Sequence, residues 1–384
     1  MTLFDIPIEF FFFGLTLLGV AIFHHRNFEV AVGGLAVILA YKVLFTDLNF
    51  AAYLLHEWRL LLNLFGLLVG FAILAKFFED SRFPEWLPKW LPDTWAGGFV
   101  LLVWVAVLST FLDNIAAAMI GGVIARKVYK GRVGIGYLAA IVAASNAGGA
   151  GSVIGDTTTT MMWISGVPAI HVAEAFIAST VAVAIVGIFS GRAQHRLQPI
   201  VKDPPQDLRI DYGRLMIVGL IISGAITANV LMDFPAVGVW SAITMAALFR
   251  PAPWREARHA LKGSLFLLSL VVCASLMPVK ALPAASWHTA FALGFVSAVF
   301  DNIPLTALAL HQGGYDWGIL AFAVGFGGSM IWFGSSAGVA ITTSFPEAKN
   351  TLRWLREGWP VAAAYIIGFF VMLALVGWHP DPVH

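Results

Sequence analysis

The chain has 384 residues, 59% of them hydrophobic and only 12% charged, with a formal net charge of +1. A soluble domain carries roughly 25% charged residues, whereas apolar runs of about 17–25 residues, long enough to cross a bilayer as helices, recur along this sequence. Composition therefore excludes a soluble enzyme-like domain and points to an all-α polytopic membrane protein with lipids as its surroundings. The near-zero net charge gives no sign of a nucleic-acid partner, and the single cysteine, Cys273, excludes an intrachain disulfide or a cysteine metal cage.

In chain order, the first apolar run follows Asp5 and Glu9 rather than a basic start, so no cleavable leader is expected. Crossings are expected at about 7–23, 28–46, 59–78, 134–164, 168–191, 213–232, 235–250, 262–280, 316–345 and 358–379. The segment FPEWLPKWLPDTW (83–95) reads as an interfacial element. Two further apolar stretches, 97–128 and 284–311, carry an Asp-Asn pair near the middle and read as re-entrant hairpins. Irregular backbone is tolerated at membrane depth only when protein buries it.

The positive-inside rule tests this layout. Of 23 Lys and Arg residues, all but Lys42, Arg59 and Lys280 fall in loops that the layout puts on one side. The three exceptions lie near the opposite ends of spans, where long side chains snorkel; Lys280 is alternatively a counter-charge to a site carboxylate. Ordinary span pairs in place of the hairpins would preserve the same bias, and only the short half-lengths favour re-entry. Each half then has five crossings, so the halves are oppositely oriented, as in inverted-repeat transporters. The first repeat is 1–191, with hairpin 97–128 and broken helix 134–164. The second is 213–384, with hairpin 284–311 and broken helix 316–345. Polar, proline-bearing residues 192–212 form a cytoplasmic linker, and both termini lie outside.

The two halves also share motifs. Phe111-Leu112-Asp113-Asn114-Ile115 matches Val299-Phe300-Asp301-Asn302-Ile303, and NAGGAGSVIGDT (146–157) matches GFGGSMIWFGSS (325–336). The pairs Gly148–Gly149 and Gly327–Gly328 align and are expected to break the two interrupted helices; Gly155 and Gly334 align at the same offset. A broken helix exposes carbonyls and amides near the bilayer midplane, where they can coordinate ions. Intramembrane carboxylates are functional candidates by default, which singles out Asp113, Asp156 and Asp301.

SNAGGAGSVIGDTTTTMMW, with FLDNIAAAM before it and FDNIPLTAL after it, resembles the ion transporter superfamily, closest to its NhaD-type sodium/proton antiporters. The resemblance runs from about residue 60 onward. It implies an inverted-repeat fold, a homodimer, and elevator-like movement of a transport domain holding 97–164 and 284–345. The chain's compact loops depart from longer relatives, chiefly in the dimer-forming elements.

Charge separates cation from anion carriers. Dicarboxylate carriers of this superfamily place Ser-Asn-Thr at the hairpin tips, whereas both tips here carry Asp-Asn. With Asp156, up to three negative charges would repel an anion in low dielectric. A sodium or lithium ion suits carboxylate, amide and hydroxyl oxygens. Burial and like charges favour a protonated carboxyl, so one group can hold either a proton or a cation. Asp156 is the expected exchanging group, with Asp113 and Asp301 as partners. Asn114, Asn146, Thr157, Asn302, Ser335 and Ser336 would supply neutral oxygens. No cofactor is implied, since no phosphate-binding loop occurs.

Blander readings stand beside these. Asp113 and Asp301 also suit helix N-caps, the glycines suit close helix packing, and Asp156 suits a structural bond to nearby hydroxyls. His171 and Glu174 are too few for a metal site. Cys273 reads as a small buried apolar residue. The rival functions are an anion or arsenite carrier of the same superfamily and, from another class, an intramembrane aspartyl protease.

Overall fold

In the computed structural model, which describes residues 2–3, 6–23, 26–46, 48–202 and 209–381, nearly all regular structure is helical. Asp5 and linker residues 203–208 fall outside that set. A minimal strand pair, β1 (Thr2–Leu3) and β2 (Ile6–Pro7), precedes α1 (Ile8–Ile22) and α2 (Asn27–Phe45). α3 (Phe50–Asp80) starts where Asn49 accepts a bond from the Ala52 amide and runs 31 residues, about 46 Å at the α-helical rise. α4 (Phe83–Trp86) and a 3₁₀ turn (Leu87–Trp90) follow. Pro84, Leu87 and Leu91 are buried, so the segment expected at the interface is partly embedded in protein.

Next come α5 (Trp95–Ser109), α6 (Asn114–Val128), α7 (Ile135–Ala150), α8 (Thr157–Ile164), α9 (Ala169–Ala173) and α10 (Ala175–Leu197). The second half holds α11 (Tyr212–Met232), α12 (Pro235–Ala247), α13 (Trp254–Ser275), α14 (Trp287–Ser297), α15 (Asn302–Gln312), α16 (Trp317–Gly327), α17 (Ser336–Ser344), α18 (Thr351–Glu357) and α19 (Trp359–Val376). α10 thus continues six residues into the expected linker, and α13 starts and ends earlier than hydropathy suggests.

Among the described residues, six helical segments are long and apolar enough to cross a membrane: α2, α3, α9 with α10, α11, α13 and α19. α1 and α12 are shorter, with 15 and 13 residues. Both expected interrupted crossings are helix pairs separated by non-helical backbone, 151–156 between α7 and α8 and 328–335 between α16 and α17. α5 and α6 have 15 residues each and α14 and α15 have 11. Those lengths correspond to about 22 Å and 16 Å, short of a hydrocarbon core of about 30 Å.

α7 and α16 are buried on every side, as expected for helices apolar all round. Tyr137 donates to the Gly98 carbonyl at 2.7 Å, tying α7 to α5. Tyr365 donates to the Phe291 carbonyl at 2.7 Å, tying α19 to α14. On the opposite flank, Asn63 accepts from the Ala236 amide at 3.0 Å and Trp240 donates to the Gly66 carbonyl at 2.9 Å, locking α12 onto α3. Lys42 does not snorkel freely; its Nζ lies 3.3 Å from Glu9 of α1. Lys280 is exposed on a 3₁₀ turn.

One expectation is corrected. Gly148 and Gly149 lie inside α7 and Gly327 closes α16, so these three precede the breaks rather than form them, while Gly328, the C-cap of α16, is the first residue of its break. They are needed for close approach. A Cβ on Gly148 would overlap the Ala106 carbonyl of α5, and one on Gly327 would overlap the Gly294 carbonyl of α14. Gly155 and Gly334 likewise sit against the carbonyls of Ser109 and Ala298. Matched glycines thus bring α5 and α14 onto the neighbouring breaks by the same kind of close approach to a carbonyl.

Gly155→Ala should therefore destabilise the protein by about 1–3 kcal/mol, the usual penalty of overpacking. Gly219→Ala, where a Cβ meets nothing within 4 Å, should be neutral or slightly stabilising. Thermal unfolding in detergent compares the two, and equal midpoints would contradict the packing assignment.

Candidate functional site

Four helices begin at the junction of the two breaks and the two short-helix turns. Asp113, Asp156, Asp301 and Ser335 are the N-caps of α6, α8, α15 and α17. Backbone angles repeat between matched caps. Asp113 and Asp301 have φ, ψ of −52°, 141° and −54°, 140°. Asp156 and Ser335 have −143°, 146° and −142°, 153°. α6 packs on α17 and α15 on α8, so caps from both halves are brought together.

Asp156 is the centre of the polar cluster and is 3% exposed. Its Oδ1 accepts from Asn114 Nδ2 at 3.2 Å; its Oδ2 accepts from Thr158 Oγ1 at 2.7 Å and from Asn302 Nδ2 at 3.4 Å. Asn114 also donates to Asn146 Oδ1 at 3.0 Å, and Asn146 donates to Ser329 Oγ at 2.9 Å. Asp156 makes no side-chain cap bond of its own. Thr159 and Thr160 donate to backbone carbonyls, including that of Asp156 at 2.9 Å, and Ser152 bonds the Thr110 carbonyl, so hydroxyls hold the break in shape.

The other two aspartates differ. Asp301 is a bonded cap, accepting from the Ile303 amide at 3.0 Å and from Ser336 Oγ at 3.3 Å. Asp113 occupies the equivalent position without a side-chain cap bond. Among the described residues, no group of three or more His, Cys, Asp or Glu is arranged to hold a metal ion. The three aspartates therefore do not meet at one point. Asp156 stands with the asparagines, and Asp301 stands with Ser336 beside Ser335 on a cavity wall. Ser335 itself accepts from the Gly338 amide at 3.3 Å. Thr157 is half-buried, and its neighbour Thr158 is the one that bonds Asp156. His171 pairs with Asp381 at 2.6 Å, away from this cluster.

Sequence reasoning missed Thr158, Ser329 and Gly325. The i to i+2 hydroxyl after an aspartate is a recurrent local bond, and that signal points to Thr158. Ser329 follows the second glycine pair directly. Gly325 aligns with Asn146, and a Cβ there would lie 3.2 Å from Ala150 and 3.7 Å from Asp156 Oδ2. A side chain at 325 would fill the space beside the carboxylate.

The sequence profile of a family described as CitMHS, citrate transporter, matches residues 12–327, which includes every cluster residue except Ser329, Ser335 and Ser336. The chain is similar to sodium/proton antiporter 1 of Arabidopsis thaliana, 28% identical over 298 residues, covering 64% of this chain and 49% of that protein. It is similar to sodium/proton antiporter 2 of the same plant, 26% identical over 334 residues, covering 72% and 77%. It is also similar to Na(+)/H(+) antiporter NhaD of Vibrio parahaemolyticus, 25% identical over 323 residues, covering 68% and 78%. The chain thus spans about half the length of the first of these curated relatives. Profile and relatives are described as transporters, and with six membrane-length helical segments the chain is an integral membrane protein.

Thr158→Val removes the shortest bond to Asp156 and should cost about 1.5–3 kcal/mol, as for hydrogen bonds to charged groups. In an Asp156→Asn background the same change should cost clearly less. A double-mutant cycle on unfolding midpoints measures that coupling, and strict additivity would contradict it.

Proposed function

The chain belongs to the citrate transporter family, CitMHS, and from that premise we propose that it exchanges sodium or lithium for protons, the two competing for buried aspartates. Asp156 carries this reading. It is a carboxylate buried in a helix break, and its hydrogen bonds come from two amides and a hydroxyl rather than from a cation. Such a group gains from binding either a proton or a small hard cation. Asp156 is the exchanging group, and Asp113 and Asp301 are its partners. Asn114, Asn146, Thr157, Asn302, Ser335 and Ser336, joined by Thr158, are the neutral oxygens nearby. Gly148, Gly149, Gly327 and Gly328 keep the helices close enough to form the site. The relatives named sodium/proton antiporters agree with this reading.

An anion carrier is the second reading. The family description names citrate, and four converging helix N-termini favour negative charge. Three of those N-termini begin at aspartates of the chain itself, which already place carboxyl groups there. Two like charges 4 Å apart repel by about 4 kcal/mol at an effective dielectric constant of 20, and citrate brings several. The cation reading therefore fits better.

The architecture follows from the same proposal. Stretches 97–128 and 284–311 are re-entrant hairpins, their helices being too short for the hydrocarbon core. Repeats 1–191 and 213–384 are inverted about linker 192–212. Segments 97–164 and 284–345 move together, elevator-like, against the remainder of a homodimer subunit. With basic loops inside a bacterial-type inner membrane, the linker is cytoplasmic and both termini are outside.

Purified protein in liposomes containing a pH-sensitive dye provides the test. Sodium or lithium should dissipate an imposed proton gradient, citrate should not, and Asp156→Asn should lose the response. Movement of citrate or arsenite with no response to monovalent cations would overturn the proposal.

A further inference from the structure

Two cavities approach the polar cluster from opposite ends of the same helices. The smaller, about 160 Å³, is lined by Asp301, Ser335, Ser336 and Val339, with Phe266 and Leu270 of α13. The larger, about 610 Å³, is lined by His56, Glu57 and Arg59 of α3, by Val271 and Ser275 of α13, by Met161 of α8, and by Ala307 and His311 of α15. Along α13 the first cavity lies toward Arg258 and Lys262, and the second begins one residue past Leu270 and lies toward the other end. Along α3 the larger cavity is at the end away from Lys76. It therefore opens on the face opposite the loops rich in Lys and Arg.

Its position relative to Asp156 is informative. Met161 is five residues beyond Asp156 on α8, and Ala307 is five beyond Asn302 on α15. Each lies about 7–8 Å along its helix axis from the cluster. Met161 and Ala307 belong to one apolar cluster with Leu64, Leu270, Val271 and Ala274. Met161 is 1% exposed. Met161 and Ala307 also line the larger cavity. The cavity wall carries Glu57, with His56 Nε2 at 3.9 Å, and Asp233 at the end of α11. Arg59 is engaged with the Met232 carbonyl at 2.7 Å. Two carboxylates, Glu57 and Asp233, thus stand against one guanidinium, Arg59, on the wall.

We propose that this cavity is the vestibule through which a hydrated monovalent cation approaches Asp156 from the face opposite the basic loops. Glu57 is its attracting carboxylate, and the Met161–Ala307 layer is the barrier that is closed in this conformation. The proposal rests on the antiport reading for the identity of the cargo but not for the geometry.

Because Cys273 is the only cysteine, Cys273→Ala gives a clean background for accessibility measurements. His311→Cys and Val339→Cys are introduced singly, and a membrane-impermeant charged thiol reagent is applied to sealed vesicles of each orientation. His311→Cys should react from one side only, and Val339→Cys from the other only. The pattern should persist when Asp156→Asn abolishes transport, so failure of the antiport reading is seen separately from failure of the vestibule. Reaction of both from one side, of either from both sides, or of His311→Cys from neither overturns the proposal. Glu57→Gln should raise the sodium concentration for half-maximal exchange by roughly threefold, through lost local concentration of cations, with an unchanged maximal rate. An unchanged half-maximal concentration removes Glu57 from the vestibule. Met161→Ser should speed sodium-independent decay of a proton gradient, and wild-type decay removes Met161 from the barrier.

Discussion

Burying the Asp156 carboxylate is the constraint that the rest of the molecule answers to. An aspartate at membrane depth costs about 3 kcal/mol even on lenient insertion scales. Two or three charge-assisted bonds at about 1.5–3 kcal/mol each offset a cost of that size without a neutralising lysine or arginine. Those donors come from three separate parts of the chain: Asn114 from α6, Asn302 from α15 and Thr158 from α8. The N-terminal end of α8 adds a favourable field. A carboxylate held by neutral donors remains available to a cation or a proton, whereas an ion pair would already satisfy it.

Bringing those donors together requires backbone to approach backbone. Gly148 and Gly155 let α5 press onto the first break, and Gly327 and Gly334 let α14 press onto the second. Matched glycines make matched contacts, yet the sites they frame are not alike. The first break carries a carboxylate at its last position and the second carries Ser335. Asp301 accepts a side-chain cap bond from the Ile303 amide and a bond from Ser336, whereas Asp113 lacks such a cap bond. Matched motifs thus frame one fully buried carboxyl centre and one more open, hydroxyl-lined flank beside a cavity.

Helix type, the position of both breaks and the residues nearest Asp156 were largely legible in the sequence, because apolar length, glycine and isolated carboxylates leave strong local signals. The asparagines beside the two aspartates, Asn114 and Asn302, could be picked out on chemistry alone. Several features were not legible. Hydropathy cannot see that Thr158 rather than Thr157 turns toward the carboxylate, since that depends on the first turn of α8. Ser329 reaches Asn146 only through the packing of α16 on α7. Gly148 and Gly149 read naturally as helix breakers, but an Ala-Gly-rich helix that is wholly buried stays helical when packing rewards it. Lys42 looked like an isolated snorkelling cation because its partner, Glu9, is on the preceding helix.

The central claim is that one buried carboxylate holds either a cation or a proton. Its most direct measurement is sodium binding to the purified protein by calorimetry, repeated in two buffers of different protonation enthalpy. Competition at Asp156 predicts that sodium binding releases close to one proton per ion, and that Asp156→Asn abolishes that release. Sodium binding with no proton release in wild type, or equal release from Asp156→Asn, would contradict it.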